Sequence, residues 1–530
     1  MNVASLFLTV PRQEAIPGVD TRPERLRAWV ESLPYTSDRE TTQRLIERLH
    51  DINHQPLPST RRMALLAPFT RAFGRLHEAL RGATAGPEHL DRLQLLDGFT
   101  EQLLIGYKYV VNDAQGEPRR WGRPHHLHQA INLAAHLIHL LLACRYQHYL
   151  PAEATLWREL GQLFVYAESH EIPATEHPDF PFATHPLSAD RALAEAAVLR
   201  LADPFRVPAG QVWEVLAYLD RLEFPLHCAP LPEGELPDQD HLAVCLHCEP
   251  GEFAHPPESG TERRLWRLID GRALRAKLEQ DQQRLQAGAS PEHLGLSRRL
   301  YASDAAQLLR HLSLQLRHRA DRKLPRVQAE GALELHSGLF EAYRLHAGRA
   351  FDPRAYADQD SDEIDLAASF ESIEPRQMHA QPPCKGKLLN RSAGGVAVAV
   401  PGEAAGRLPV GQLVTLPAPP HARHDWLVAV VRWHQRESGD GADIGLQYIA
   451  NDARPVAVRP LDTGQEVAFQ PALESELAHG IHRYRILVAP RGLFRPERLL
   501  ELDINGERAR LRCGRLIERG HGQERFTLET

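Results

Sequence analysis

The stretch Leu388–Val398, "LLNRSAGGVAV", decides how the C-terminal part of the chain is read. Apolar residues enter it, Asn390, Arg391 and Ser392 interrupt it, Gly394 and Gly395 follow, and a Val/Ala run leaves it. Such a run marks a strand packed on a core. A strand gains nothing from an Asn, a Ser and two glycines at its mouth, so these residues point to a turn or to something bound. A simple turn explains Gly394. Gly395 invites a further reading, a positive φ angle or a close backbone approach that a Cβ would prevent.

Downstream of Lys385 the same grammar continues to the end. "GKLLN", "GVAVAV", "GQLVTLP", "DWLVAVVRWHQR" and "DIGLQYI" are short strands with turn signals between them, as in a small antiparallel barrel. "HRYRILVAP", "RLLELDINGERARLRCGRLIE" and "ERFTLET" add more, with Asn505-Gly506 as a two-residue hairpin turn. Upstream, the first two hundred residues follow the helical period. Ser37 and Glu40 form a capping box before Leu45, Leu49 and Ile52, and Phe69, Phe73, Leu76 and Leu80 share one face. The expected fold class is therefore α+β multidomain. It comprises an α-helical domain over 1–205, a mixed, mainly helical region over 206–317, a β-barrel over 318–460 and a β-rich extension over 461–530. Within the barrel region "GLFEAYRLHAG" (338–348) reads as a short helix, and 352–375 is acidic and poor in apolar residues, which predicts a solvated linker or insertion; the whole insertion is expected at 339–375.

With 530 residues, 43% hydrophobic and 25% charged, the chain is long enough for several cores. A formal charge of -7 excludes a general polyanion binder, since duplex binding needs a basic surface. A small anionic ligand needs only two or three placed arginines. Six irregularly spaced cysteines fit reduced thiols and a cytoplasmic location, and the N-terminus lacks the early basic residues of a signal peptide. The most apolar helix, Ala130–Cys144, is shorter than a membrane span and carries Asn132, His136 and His139, so no membrane insertion is expected.

Asn390-x-Ser392-x-x-Gly395, followed by "LVAVVRW" (427–433) and "IGLQY" (444–448) and with "VGQLVTL" (410–416) between, resembles the PilZ family of cyclic di-GMP receptors. The resemblance implies a PilZ-like antiparallel barrel, cyclic di-GMP as ligand with no other cofactor, no catalytic activity, and protein partners in motility, pilus or exopolysaccharide machinery. It also implies an Arg-x-x-x-Arg on the entry to the barrel. Arg322 and Arg326 have that spacing and run into the strand at Val327, but they precede Asn390 by 64 residues, which is what calls for the insertion. The implied ligand set is Arg322, Arg326, Asn390, Arg391, Ser392 and Gly395. Chemically it is coherent, because a guanidinium fork bonds guanine O6 and N7 together, stacks on the base, and attracts phosphate. The resemblance further implies a switch in which ligand re-aims the helical domain towards a protein partner.

Two other readings stand beside it. One is a PilZ-like scaffold that binds protein and no nucleotide. The other is a metal enzyme in the helical half. His128 and His136 share a helix face but lie about 12 Å apart, and Cys245-x-x-Cys248 has no second C-x-x-C at ribbon spacing, so neither forms a metal site by itself. The chain lacks the P-loop, G-x-G-x-x-G and G-x-S-x-G motifs.

Overall fold

A computed structural model describes residues 6–81, 87–115, 125–232, 240–248, 256–257, 260–298, 300–317, 325–356, 382–419, 424–436, 441–462, 467–479 and 482–529. The chain divides into two compact units. One comprises Met1–Pro204 and Ala209–Ala320, the other Phe205–Pro208 and Asp321–Thr530.

The first unit is built on helices α1 (Pro23–Glu31), α2 (Asp38–Asn53), α3 (Ser59–Arg81), α4 (Pro87–Gln115), α5 (His125–Gln147), α6 (Ala154–Ser169), α7 (Ala189–Leu201) and α8 (Gln211–Asp220). Short strands β1 (Ala229–Pro230), β2 (His241–Cys245) and β3 (Trp266–Asp270) form a sheet in the order β1-β3-β2, and helices α9 (Arg272–Gln286) and α10 (Ala302–Arg317) follow. Helix α5 is apolar all round because α4, α6, α7 and α8 pack about it. It is the one described helix long and apolar enough to cross a membrane, and most of it is buried inside this unit. At α2 the capping box fails: Ser37 is the N-cap residue, but its side chain makes no cap hydrogen bond. The backbone makes the first turn instead, Thr41 N–H donating to the Ser37 carbonyl at 3.0 Å.

Burial in this unit has a titratable consequence. His77 lies among Phe73, Phe182 and Trp213, 3% exposed, its Nε2 without a hydrogen-bond partner. Desolvation holds its pKa down to about 3, against 6.5 for the free side chain. A depressed pKa contributes stability that is present above pH 6.5 and is lost as the pH falls towards 3. The urea midpoint of the helical unit is therefore expected to drop between pH 7 and pH 5, and His77→Phe to flatten that drop. Equal drops in both proteins would show that His77 is not responsible.

The second unit holds β4 (Val327–Gln328), β5 (Ala332–Ser337), α11 (Leu339–Ala347), β6 (Cys384–Ser392), β7 (Gly395–Pro401), the short α12 (Gly402–Ala405), β8 (Leu413–Pro417), β9 (Trp426–Arg436) and β10 (Gly441–Ala450). Then come β11 (Arg454–Pro460), β12 (Gln470–His479), β13 (His482–Pro490), β14 (Leu499–Ile504), β15 (Glu507–Arg519) and β16 (Gln523–Glu529). Strands β6-β5-β8-β9-β10-β7 follow one another, and a β6–β7 pairing joins the ends into a ring. Strand β4 continues the line of β5 along the same edge of β6. Strands β11-β12-β13-β16-β15-β14 close a second barrel. Numbered from the first strand of each, both rings run 1-2-3-6-5-4, and every pairing is antiparallel.

Two expected boundaries move. Strand Arg454–Pro460 pairs with β12 and β14, so the first barrel ends before Arg454 and not at 460. The expected insertion at 339–375 begins with α11, whose Leu339 and Ala342 are buried with Leu413, Val428 and Val430 of the first ring and Leu473 and Val488 of the second. That helix is part of the core the rings share; the acidic stretch 357–375 lies outside the described residues.

Candidate functional site

Strand β6 carries the decisive stretch out of the barrel core. Leu388 is packed inside with Val396, Val398, Ile444 and Leu446. A register shift between Leu388 and Asn390 then sets Asn390 opposite Ala397, Arg391 opposite Val396, and Ser392 opposite Gly395. Such a bulge re-aims the residues that follow it. Because Val396 and Val398 point inward, Gly395 and Ala397 lie on the outer face, and on β10 they pair with Gln447 and Gly445. Trp433 lies against Gly445, where an added Cβ would fall 1.8 Å from its indole nitrogen. Gly395, Ala397 and Gly445 thus form a narrow floor of small residues, all three buried, with the Trp433 ring lying over Gly445. Asn390 and Ser392 stand along one edge of it and Gln447 along the other.

Gly395 is required by contact rather than by dihedral angle. Neither Gly394 nor Gly395 has a positive φ, which corrects one half of the expectation. A Cβ on Gly395 would sit 2.0 Å from the Leu446 carbonyl oxygen, so β7 and β10 would have to part. Overpacking of this kind costs about 1–3 kcal/mol. Gly395→Ala is expected to lower the melting temperature of the second unit by several degrees; an unchanged melting temperature would show that the strands have room.

The pairing of β4 with β6 places the entry segment here. Val327 is opposite Arg391 and Gln328 opposite Asn390, so Arg326, one residue earlier, comes beside Ser392 despite the 64 residues between Arg326 and Asn390. Arg326 is exposed and makes no hydrogen bond or ion pair among the described residues; Arg322 lies outside them. Arg391 is half-buried, with its Nε enclosed and unpartnered. It stands near Tyr448, whose phenol burial pushes up while the Arg391 charge pulls it back. Ser392 Oγ donates to the Gly395 carbonyl at 3.3 Å, closing the hairpin and leaving its lone pairs to accept. Carboxylates take up other guanidinium groups of this unit, as in Arg344–Glu341, Arg459–Glu501, Arg485–Glu474, Arg498–Asp462 and Arg519–Glu524. Arg326 and Arg391 have no such partner among the described residues; Arg326 is in register with outward Ser392, whereas Arg391, opposite inward Val396 and near Tyr448, is on the barrel-core side of β6. Of the six residues expected, the structure brings together Arg326, Asn390, Ser392 and Gly395 on one face and sets Arg391 on the other face of the same hairpin. Sequence reading missed Gln447 and Tyr448, whose signal was the alternation of "IGLQY" beyond its glycine.

The other motifs lead elsewhere. His136 Nε2 meets the Ser188 carbonyl at 3.0 Å, and His139 lies 3.6 Å from Glu195, both inside the helical core. Among the described residues no three of His, Cys, Asp and Glu gather as a metal site. A cavity of about 480 Å³ opens in the helical unit beside Tyr107, His126 and Phe180, and its one arginine, Arg71, is paired with Asp179 at 3.3 Å.

Residues 344–455, from within α11 to the start of β11, match the family described as the middle PilZ domain of the cyclic-di-GMP receptor FimW. The chain carries a PilZ domain. Residues 24–230 match the family described as the N-terminal domain of the same receptor. A curated relative, the cyclic-di-GMP receptor FimW of Pseudomonas aeruginosa, is 25% identical over 96% of this chain and 90% of its own. The two matches fall on separate units. Apart from Phe205–Pro208 the helical unit holds the N-terminal one, and the PilZ match holds Asn390, Ser392 and Gly395.

Proposed function

We propose that this chain is a non-enzymatic cyclic di-GMP receptor whose site lies on the outer face of the PilZ barrel. One observation carries the reading: Arg326, without a carboxylate partner among the described residues, is set by register beside Ser392 in the Asn390–Gly395 hairpin of a domain that matches a cyclic di-GMP receptor family. The ligand supplies what this surface lacks. Its phosphates answer the Arg326 cation, and its guanine edges offer O6 and N7 to a guanidinium fork. Asn390 has both a donor and an acceptor for a base edge. Arg322 and Arg326 lie where the chain passes from the helical unit, ending at Ala320, into the barrel unit. Ligand held there fixes the connecting segment and thereby changes which surface the helical unit offers a protein partner. On this reading the protein works in the cytoplasm, and pilus, motility or exopolysaccharide machinery is the partner class. Titration calorimetry of the full chain with cyclic di-GMP tests it, with cyclic di-AMP and GMP as comparisons. Saturable binding selective for cyclic di-GMP is expected. No heat with any of the three would leave a protein-binding PilZ scaffold as the reading.

A further inference from the structure

The floor has a second charged border. In β9 the register passes from Val431 opposite Leu446 to Trp433 opposite Gly445, which leaves Arg432 as an extra residue in a bulge. Bulges turn side chains out of the regular alternation and recur beside functional surfaces. Here the turn sends the Arg432 guanidinium over Gln447, whose Oε1 accepts from Nε at 2.6 Å. Gln447 is the residue opposite Gly395 on β10. From Ser392 across Gly395 to Gln447 is two strand spacings, about 10 Å, with no side chain rising from Gly395 between them.

The other end of Arg432 is held from the second ring. Its Nη2 donates to Glu518 Oε2 at 2.8 Å, and Arg525 Nη2 reaches the same oxygen at 3.2 Å. The Arg432 side chain is 34% exposed while that of Glu518 is 13% exposed, so solvent and a ligand reach the cation more easily than its partner. The double engagement of Glu518 matters here. If Arg432 left, Glu518 would keep Arg525 as its counter-ion, and no carboxylate would be stranded in a buried position. The ion pair can be exchanged at modest cost, which is not true of a buried pair with a single partner on each side.

We propose that Arg432 is a further cation of the nucleotide site, held in reserve by Glu518, so that a ligand phosphate competes with the second ring for it. The inference rests on the receptor reading above and goes beyond it by making the C-terminal barrel a determinant of affinity. The oxygen that Arg432 loses from Glu518 is replaced by a phosphate oxygen of similar charge, with Gln447 steadying the guanidinium during the exchange. Glu518 therefore acts as a positioning residue and never touches the ligand.

Calorimetry with cyclic di-GMP on the full chain tests this through a double-mutant cycle, with melting temperatures recorded for each variant. Arg432→Gln is expected to weaken binding about tenfold, the effect of losing one charge-assisted contact. Glu518→Gln, which keeps an acceptor for Arg525, is expected to tighten binding several-fold in the wild-type background and to have no effect in the Arg432→Gln background. Wild-type affinity in Arg432→Gln would overturn the proposal while leaving the receptor reading intact. The same gain from Glu518→Gln in both backgrounds would show that it acts elsewhere, which also overturns it. Absence of binding by the wild type would remove both readings together. If Arg432→Gln proves unfolded, Glu518→Gln alone decides, since unchanged affinity in that variant sinks the competition.

Discussion

Arg326→Ala is expected to weaken cyclic di-GMP binding by one to two orders of magnitude while leaving the melting temperature where it was. The two halves of that result follow from different facts. Arg326 is exposed and holds nothing together among the described residues, so its removal has no fold to disturb. Register places it beside Ser392, where a bidentate guanidinium contact to a base edge or a phosphate is worth roughly 1.5–3 kcal/mol, or about 10–150-fold in affinity. Calorimetry and a thermal melt on the same preparation read both halves. A variant that binds as wild type would remove Arg326 from the site while leaving Asn390 and Ser392 in it. Lost binding with a lowered melting temperature would mean that the segment before Val327 is structural.

The second large effect is expected in the helical unit and on stability. Arg191 on α7 is nearly enclosed; it donates to Glu195 Oε1 at 2.7 Å, to Asp220 Oδ1 at 2.6 Å and to the His185 carbonyl at 3.0 Å. Burial pushes the Glu195 carboxyl up to about 7 even with the guanidinium beside it. Arg191→Met strands two carboxylates in the core, which costs about 3–5 kcal/mol. Without the cation Glu195 must take up a proton for the unit to stay folded, so the loss is expected to be larger at pH 8 than at pH 5. Urea unfolding at both values measures it. The triple variant Arg191→Met/Glu195→Met/Asp220→Leu should recover much of the loss, because apolar residues of similar volume replace buried ion networks with little penalty. A triple variant as unstable as the single would show that the network's geometry, and not its charge balance, holds α7 and α8 together.

Much of the candidate site is legible in the amino-acid sequence. Asn390, Ser392 and Gly395 are polar or bare where a strand wants neither, and the strands that follow them carry clear alternation. The entry arginine was harder because its neighbour is set by pairing, not by distance along the chain. Val327 lies opposite Arg391, and everything between α11 and β6 is a detour that periodicity cannot measure. Strand β11 escaped for a local reason. "RPVAVRP" has a proline in its second position and another at its end, a composition that reads as the edge of something rather than the start of a ring. The second ring escaped because closure rests on contacts between strands far apart in sequence, such as Ala457 with Asp503. The capping box at Ser37 shows the reverse failure, a local rule satisfied in sequence and set aside by the backbone.

The shared strand order of the two rings bears on how variants at the site are to be read. Where the first ring closes its second hairpin with Ser392 opposite Gly395, the second closes the same hairpin with His479 opposite His482, and Leu477 stands in the place of Asn390. The wiring is the same with and without the motif. Fold and ligand chemistry are therefore separable properties of this architecture, the one written in strand connectivity and the other in a handful of hairpin side chains. A substitution at Asn390 that abolishes binding reports on recognition, because the neighbouring ring already shows the scaffold standing without it.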